Sequence, residues 1–376
     1  MRDVTLYCLI PPLKGTAATP DVALLNQSAR RYQQSTRRIG GYWQAGFTID
    51  PSDDVSDSYL VQWFDRIGFG FQSRLGGAIT WSGLIWELEL ALDGIKERRD
   101  YGKIFNAVKV IYTDSDGNSQ ATSWYTNDAS IAEYGRRELI IPLDDVSATE
   151  AQTKAQDELV KTAYPAAETI ALGSQVRDGL TVTCAGLAFT ANNRYVTAGD
   201  GSEDNVSTYI QEIIETDCDF LKVGRIQENT LQVVKAFDAP IRAWDALVDL
   251  ADIGDGSTPF VIYVDSDGYV HYHQASNTPL YEWRGKNGGG LTTRLGGRSP
   301  WAYWPGVVRN LKRPSSAPPP GSFLADGRDI WVAEIGMSDG ASEPTIKPDG
   351  FDPADIERAV AQNERWLEQA AEERAR

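Results

Sequence analysis

The chain has 376 residues, 41% of them hydrophobic, which is enough apolar surface for a substantial core and, by length, for two or three domains. With 36 Lys and Arg against 53 Asp and Glu, its formal charge of -17 opposes phosphate binding as a main activity. Two histidines leave few groups for proton transfer near neutral pH, and the isolated Cys8, Cys184 and Cys218 support neither a disulfide framework nor a zinc knuckle.

No apolar run reaches membrane-spanning length, and the opening MRDVTLYCLIPPL lacks an apolar core and a small-residue cleavage site, so neither a membrane segment nor a secretory signal is expected. Asp21 to Gln34 places Val22, Leu25 and Ala29 at helical spacing and predicts a short helix or arm. Gly40 and Gly41 introduce a half-buried strand over Tyr42 to Asp50, with Trp43, Ala45, Phe47 and Ile49 on one face. Asp53 or Asp54 is the expected cap of a helix to Arg66, stopped by Gly68. In WSGLIWELELAL, alternation assigns Leu84, Trp86, Leu88, Leu90 and Leu92 to one face and Glu87 and Glu89 to the other. A strand over Asn106 to Tyr112 meets the turn Asp114-Ser115-Asp116-Gly117 and pairs with Thr122 to Tyr125. A helix over Asp128 to Tyr134 ends at Gly135, RRELIIPL follows as a strand, and Ser147 with Glu150 forms a capping box for a helix over 148–163.

The second half continues with the strand LTVTCAG, a helix over Val206 to Thr216, the strand TLQVVKAF, and a helix over Pro240 to Ile253 with Pro240 at its first position. FVIYVDSDGYVHYHQ reads as strand, turn and strand. Its VIYVDSDG at 261–268 matches VIYTDSDG at 110–117 in seven of eight positions, which fits either a duplication or the recurrent chemistry of Asp-Gly hairpins. Beyond Gly296 the pattern turns irregular, and RPSSAPPPG at 313–321 marks a linker. RDIWVAEIG returns as a strand. A final helix from Pro353, capped by Asp352, sets Ile356, Val360 and Leu367 near a heptad seam with Trp366 beside it; that face docks on the chain's own core or on another chain.

None of the candidate motifs completes a chemistry. His271 and His273 share one strand face but lack a third ligand, and the Asp114 and Asp265 turns lack the further acids of a calcium loop. Gly288 to Gly290 follow Lys286 in the wrong order for a phosphate loop, Glu87 and Glu89 read as a solvated strand face rather than a glycosidase pair, and there is no GxSxG. Catalytic, cofactor-binding and metal residues are therefore assigned as none, and no cofactor is implied.

One ordered set of pieces remains: the strand with Trp43 and Phe47, WFDRIG, GAITWSGLIWELEL, NAVKVIYTDSDG, ASIAEYGRRELII, the Ser147-capped helix, LTVTCAGL, IRAWDALVDLADIGD and VHYHQ. Its strongest parts are Trp81-x-Gly83-x-Ile85-x-Glu87, Tyr134 to Glu138, and the Trp244 helix ending at Gly254-Asp255. This order, over residues 20 to 310, resembles the baseplate hub or tail-tip hub proteins of long-tailed bacteriophages, siphovirus-type and similar to the myophage hub family. The resemblance implies a β-rich α+β fold with two related β-barrel-like domains and helical insertions; the first 20 residues and the C-terminal helix joined by the Pro-rich linker depart from the family pattern. The expected divisions are an arm or helix over 1–40, a first barrel over 41–145, an α/β region over 146–230, a second barrel over 231–312 or with strands from 180 on, linker and return strand over 313–350, and the helix over 351–376.

The resemblance further implies a structural virion protein, not an enzyme: a homotrimer forming a pseudo-sixfold ring that adapts a hexameric tail tube to threefold spike or fibre proteins. Its partners are then the tail tube or distal tail protein, the tape measure protein and the central spike or fibre proteins. DNA passes through the ring on ejection without specific binding, and Glu87 and Glu89 are candidate channel-lining acids. The protein is then assembled in the host cytoplasm and located in the virion. The alternative is a carbohydrate-active or carbohydrate-binding β-rich protein acting on cell-surface polysaccharide.

Overall fold

The computed structural model describes residues 4–10, 19–20, 29–51, 55–173, 177–197, 199–237, 239–256 and 260–274, and the later strand segments 279–284, 290–293, 307–310, 329–339 and 345–348. The chain divides into two compact units, Met1–Ala275 with Ser338–Gly340, and Ser276–Met337 with Ala341–Arg376. It is a β-rich α+β protein built on a curled half-barrel sheet with helical insertions, as the sequence implies.

Three strands form the centre of the first unit's sheet: Gly40–Ile49, Ala78–Leu92 and Gly179–Gly186. Leu180, Val182 and Cys184 stand opposite Ile49, Phe47 and Ala45 on one side and Leu90, Leu88 and Ile85 on the other, and all nine are buried. Cross-strand partners share a face, so this apolar grid is one wall of the core. Helix α1 (Asp57–Phe64) covers it with Leu60, Trp63 and Phe64; Trp63 meets Phe47 edge-on at 6.2 Å, and Phe47 stacks on Phe71 at 5.3 Å. The cap of α1 is Ser56, whose hydroxyl accepts the Tyr59 N–H; the expected caps Asp53 and Asp54 lie outside the described residues.

Two expectations change here. Thr183 faces Glu87 while the next residue, Cys184, faces Ile85, so Trp86 is the extra residue of a β-bulge. Strict alternation is broken there, and Ile85, not Leu84 or Trp86, shares the buried face of Leu88 and Leu90. The second change concerns the expected helix through Gln34: Ala29–Arg37 is a strand paired with Gly40–Ile49. A register shift between Arg30 and Gln33, with Arg31 at φ 55°, carries the inward positions from Ala29 to Tyr32 in three steps, a spacing that imitates a helix. The rest of that expected helix, 21–28, lies outside the described residues.

A separate small sheet is centred on Ala107–Thr113, which pairs antiparallel with Ser119–Ala121 and Tyr125–Thr126 and parallel with Glu138–Leu143. Helix α2 (Asp128–Tyr134) connects them, and α3 (Ala148–Thr162) packs Ala151 and Ala155 against Val108, Val110 and Tyr112. The expected capping box is present, with Ser147 and Glu150 bonding each other's backbone. After the short α4 (Ala188–Ala191), helices α5 (Val206–Asp217) and α6 (Ala243–Ile253) bury Tyr209, Ile210, Ile213 and Ile214, and Trp244, Leu247, Leu250 and Ala251. Pro240 does not begin α6. The Tyr195–Arg242 bridge and the bond from Val196 N–H to Ile241 C=O hold that stretch extended until Ala243.

The two DSDG hairpins share their turns bond for bond. Asp114 Oδ1 accepts N–H groups of Asp116 and Asn118, as Asp265 Oδ1 accepts those of Asp267 and Tyr269. Their settings differ: the first lies in the small sheet, whereas Phe260–Val264 and Tyr269–Gln274 join the curled sheet beside Gly40–Gly41 and Lys222–Ile226. In the second unit Pro279–Arg284 pairs antiparallel with Gly290–Thr293 and parallel with Val307–Asn310, which pairs with Asp329–Ser338, the expected RDIWVAEIG strand. The Pro-rich linker, Lys286 to Gly289, and the C-terminal helix with Ile356, Val360, Trp366 and Leu367 lie outside the described residues.

Candidate functional site

Glu87 and Glu89 lie where the sequence sets them, on the face of the curled sheet opposite its core. Register builds a polar row across six strands: Arg30, Thr48, Thr181, Glu89, Arg98 and Glu168. A second row holds Gln33, Gly46, Thr183, Glu87 and Asp100. The side chains in both rows are half-buried or exposed, while the core grid lies directly behind them. Glu89 pairs with Lys96 at 2.5 Å, and Glu168 with Lys103 at 2.6 Å. Glu87 faces Asp100. Partial burial raises its carboxyl above the ordinary range, and Asp100 and Glu89 add to the rise against the opposing charge of Arg98. The band is therefore a dense mixture of charge rather than a purely acidic wall.

The sequence pieces that stand out without offering chemistry acquire structural reasons. Trp81 is fully buried and donates its indole N–H to Ser35 C=O at 3.1 Å. A Cβ on Gly83 would lie 2.2 Å from the Ala185 carbonyl oxygen, so only glycine permits that strand pairing. At Gly135, φ is 74° and a Cβ would meet the Phe220 ring at 2.2 Å. Two residues on, Arg137 is 1% exposed; it donates to Ile104 and Tyr101 carbonyls at 2.9 and 2.7 Å and lies 3.9 Å over the Tyr101 ring. Burial pushes its guanidinium pKa down.

Glu138, 2% exposed, anchors a charge network that sequence reasoning did not anticipate. Its carboxylate pairs with Arg136 at 2.7 Å and Arg194 at 3.5 Å and accepts the Tyr195 N–H at 2.9 Å. Arg194 also pairs with Asp219 at 2.7 Å, and Arg242 donates to the Glu138 carbonyl while lying 4.0 Å over the Tyr195 ring. Burial opposes the charge of Arg194, but Glu138, Asp219 and Asp217 together raise its pKa. Six residues from four separate stretches of sequence thus tie the small sheet to the segment leading into α6.

The histidines are engaged locally: His271 Nε2 is 3.0 Å from Asp265, its Nδ1 accepts the Arg225 N–H, and both His271 and His273 pack on Tyr263. Among the described residues no group of three His, Cys, Asp or Glu is placed to hold a metal ion. The Asp114 and Asp265 carboxylates are occupied by their own turns' N–H groups.

No protein-family model matches the chain, and no curated protein matches it in sequence. Similar solved structures include two tail proteins. One is the tail protein from Neisseria meningitidis MC58, at 10% identity and TM-score 0.36, covering 75% of this chain and 54% of that one. The other is the 43 kDa tail protein of prophage MuSo2 from Shewanella oneidensis, at 8% identity and TM-score 0.44, covering 93% and 96%. The chain spans about half the length of the meningococcal protein.

Proposed function

We propose that the chain is a non-enzymatic structural protein of a bacteriophage tail, a baseplate or tail-tip hub whose three copies form a pseudo-sixfold ring between tail tube and threefold tip proteins. The observation that carries the reading is the ordered set of sequence pieces resembling such hubs. In the fold, its three strongest parts serve packing, turn geometry and helix termination: Trp81 and Gly83 in strand pairing, Tyr134 to Glu138 in the buried charge network, and Trp244 to Gly254 in α6. A scaffold role requires that rigidity and no reactive group. The polar band around Glu87 and Glu89 is the proposed channel wall. Its acids and bases neutralise one another locally, so a passing phosphate backbone finds little net attraction there. The tube, tape measure and spike or fibre partners, and passage of DNA on ejection, belong to the same proposal.

Negative-stain class averages of the purified chain test it. Threefold rings with six similar lobes are the expected result; isolated compact particles at every concentration overturn the hub reading.

A further inference from the structure

A cleft of 390 Å³ lies between the small sheet and residues 195–197, Gly199, Gly201, 235–237 and 239–241, and shares no residue with the polar band. Its walls mix apolar and polar surface, and Trp124, Phe237, Tyr195 and Ile140 are among the residues that line it. Among the described residues no Asp or Glu lines it, and its charged lining residues there are Lys109 and Lys235. Lys235 is already matched by Glu212 at 3.1 Å and Asp200 at 3.6 Å. Lys109 stands 5.9 Å over the Trp124 ring, which Arg136 also approaches to 5.2 Å, and among the described residues it has no carboxylate partner. Tyr209 supplies the second, independent sign: it lines the cleft, is 1% exposed, and its buried hydroxyl has no hydrogen-bond partner. A buried hydroxyl without a partner costs stability, and an incoming acceptor relieves that cost. Burial, with Glu212, Asp217 and Asp200 adding, pushes its pKa up to about 12, so it remains a proton donor throughout the neutral range.

We infer that this cleft binds a small aromatic organic anion, a planar ring system bearing one carboxylate or sulfonate, with the ring against Trp124 and Phe237 and the charge toward Lys109 and the Tyr209 hydroxyl. The volume suits a ligand of two or three fused or linked rings. Cation, neutral donor and aromatic wall together select the anion over an uncharged ring, because the lone ammonium gains a partner only from the anion. The whole cleft lies in the first unit, so a single chain binds as well as an assembled ring, and failure of the hub reading leaves this inference standing.

The test uses the full chain with 8-anilinonaphthalene-1-sulfonate and its uncharged analogue N-phenyl-1-naphthylamine, followed by fluorescence titration. The expected result is saturable one-to-one sulfonate binding that Lys109→Met weakens at least tenfold, with the uncharged dye changed less than twofold. Trp124→Ala weakens both dyes at least tenfold. Tyr209→Phe weakens the sulfonate about threefold without lowering the melting temperature of the unliganded protein, since its hydroxyl has no partner to lose. Absence of saturable binding, or sulfonate binding indifferent to Lys109→Met, overturns the inference and assigns any dye signal to another apolar surface. Lys109 is half-exposed, so its variant keeps the test decisive even where Trp124→Ala does not fold.

Discussion

Replacing Glu138 by Ala removes the shared acceptor of the buried charge network. Arg136 loses its partner at 2.7 Å, the Tyr195 N–H loses its acceptor at 2.9 Å, and Arg194, 8% exposed, retains Asp219 alone. Breaking a buried pair on one side costs about 3–5 kcal/mol, and the surviving Asp219 contact sets the expectation near the lower end, about 3 kcal/mol. For a unit of this size that lowers the melting temperature by roughly 6–12 °C. Glu138→Gln keeps an acceptor for Tyr195 while losing the charge, so about 1–2 kcal/mol is expected. Because the network is buried, 1 M NaCl leaves the difference between wild type and Glu138→Ala nearly unchanged. Urea unfolding and calorimetry of the full chain measure both variants. A Glu138→Ala protein within about 0.5 kcal/mol of wild type refutes the network's role, on the scale that separates buried from surface substitutions.

Gly83→Ala drives a Cβ into the Ala185 carbonyl and is expected to cost about 1–3 kcal/mol, read in the same unfolding assay. Ser147→Ala removes one half of the capping box of α3 and is expected to cost about 1 kcal/mol, visible as earlier loss of helical circular dichroism on heating. The raised carboxyl of Glu87 gives a pH signature with a definite sign. A folded-state pKa above the unfolded value means that ionisation disfavours the folded state, a penalty complete above the folded pKa and absent below the unfolded one. Glu87→Gln is therefore expected to be more stable than wild type at neutral pH, with the advantage vanishing below the ordinary carboxylate range; a gain that grows on acidification contradicts the assignment.

Residues with local signals were legible. The capping box at Ser147 and Glu150, the end of α2 at Gly135 and the two DSDG turns each depend on neighbours within a few positions, and all formed as expected. What the sequence did not reveal depends on insertion or on distance. The bulge at Trp86 adds a residue inside an apolar run, where either face could have been the core. The strand Ile95–Asp100 is charged along most of its length and shows no apolar alternation, although its Glu97 and Arg99 stand opposite the buried Leu90 and Leu88 at the margin of the core grid. The Glu138 network and the Trp124 cleft gather residues more than fifty positions apart, and a lone Arg or Lys carries no mark of its partner.

The central claim is the threefold hub, and solution mass measures it most directly. Light scattering of the purified 376-residue chain is expected to give three times the 41.4 kDa chain mass, with dissociation only on dilution. A single-chain mass across the accessible concentration range contradicts the claim.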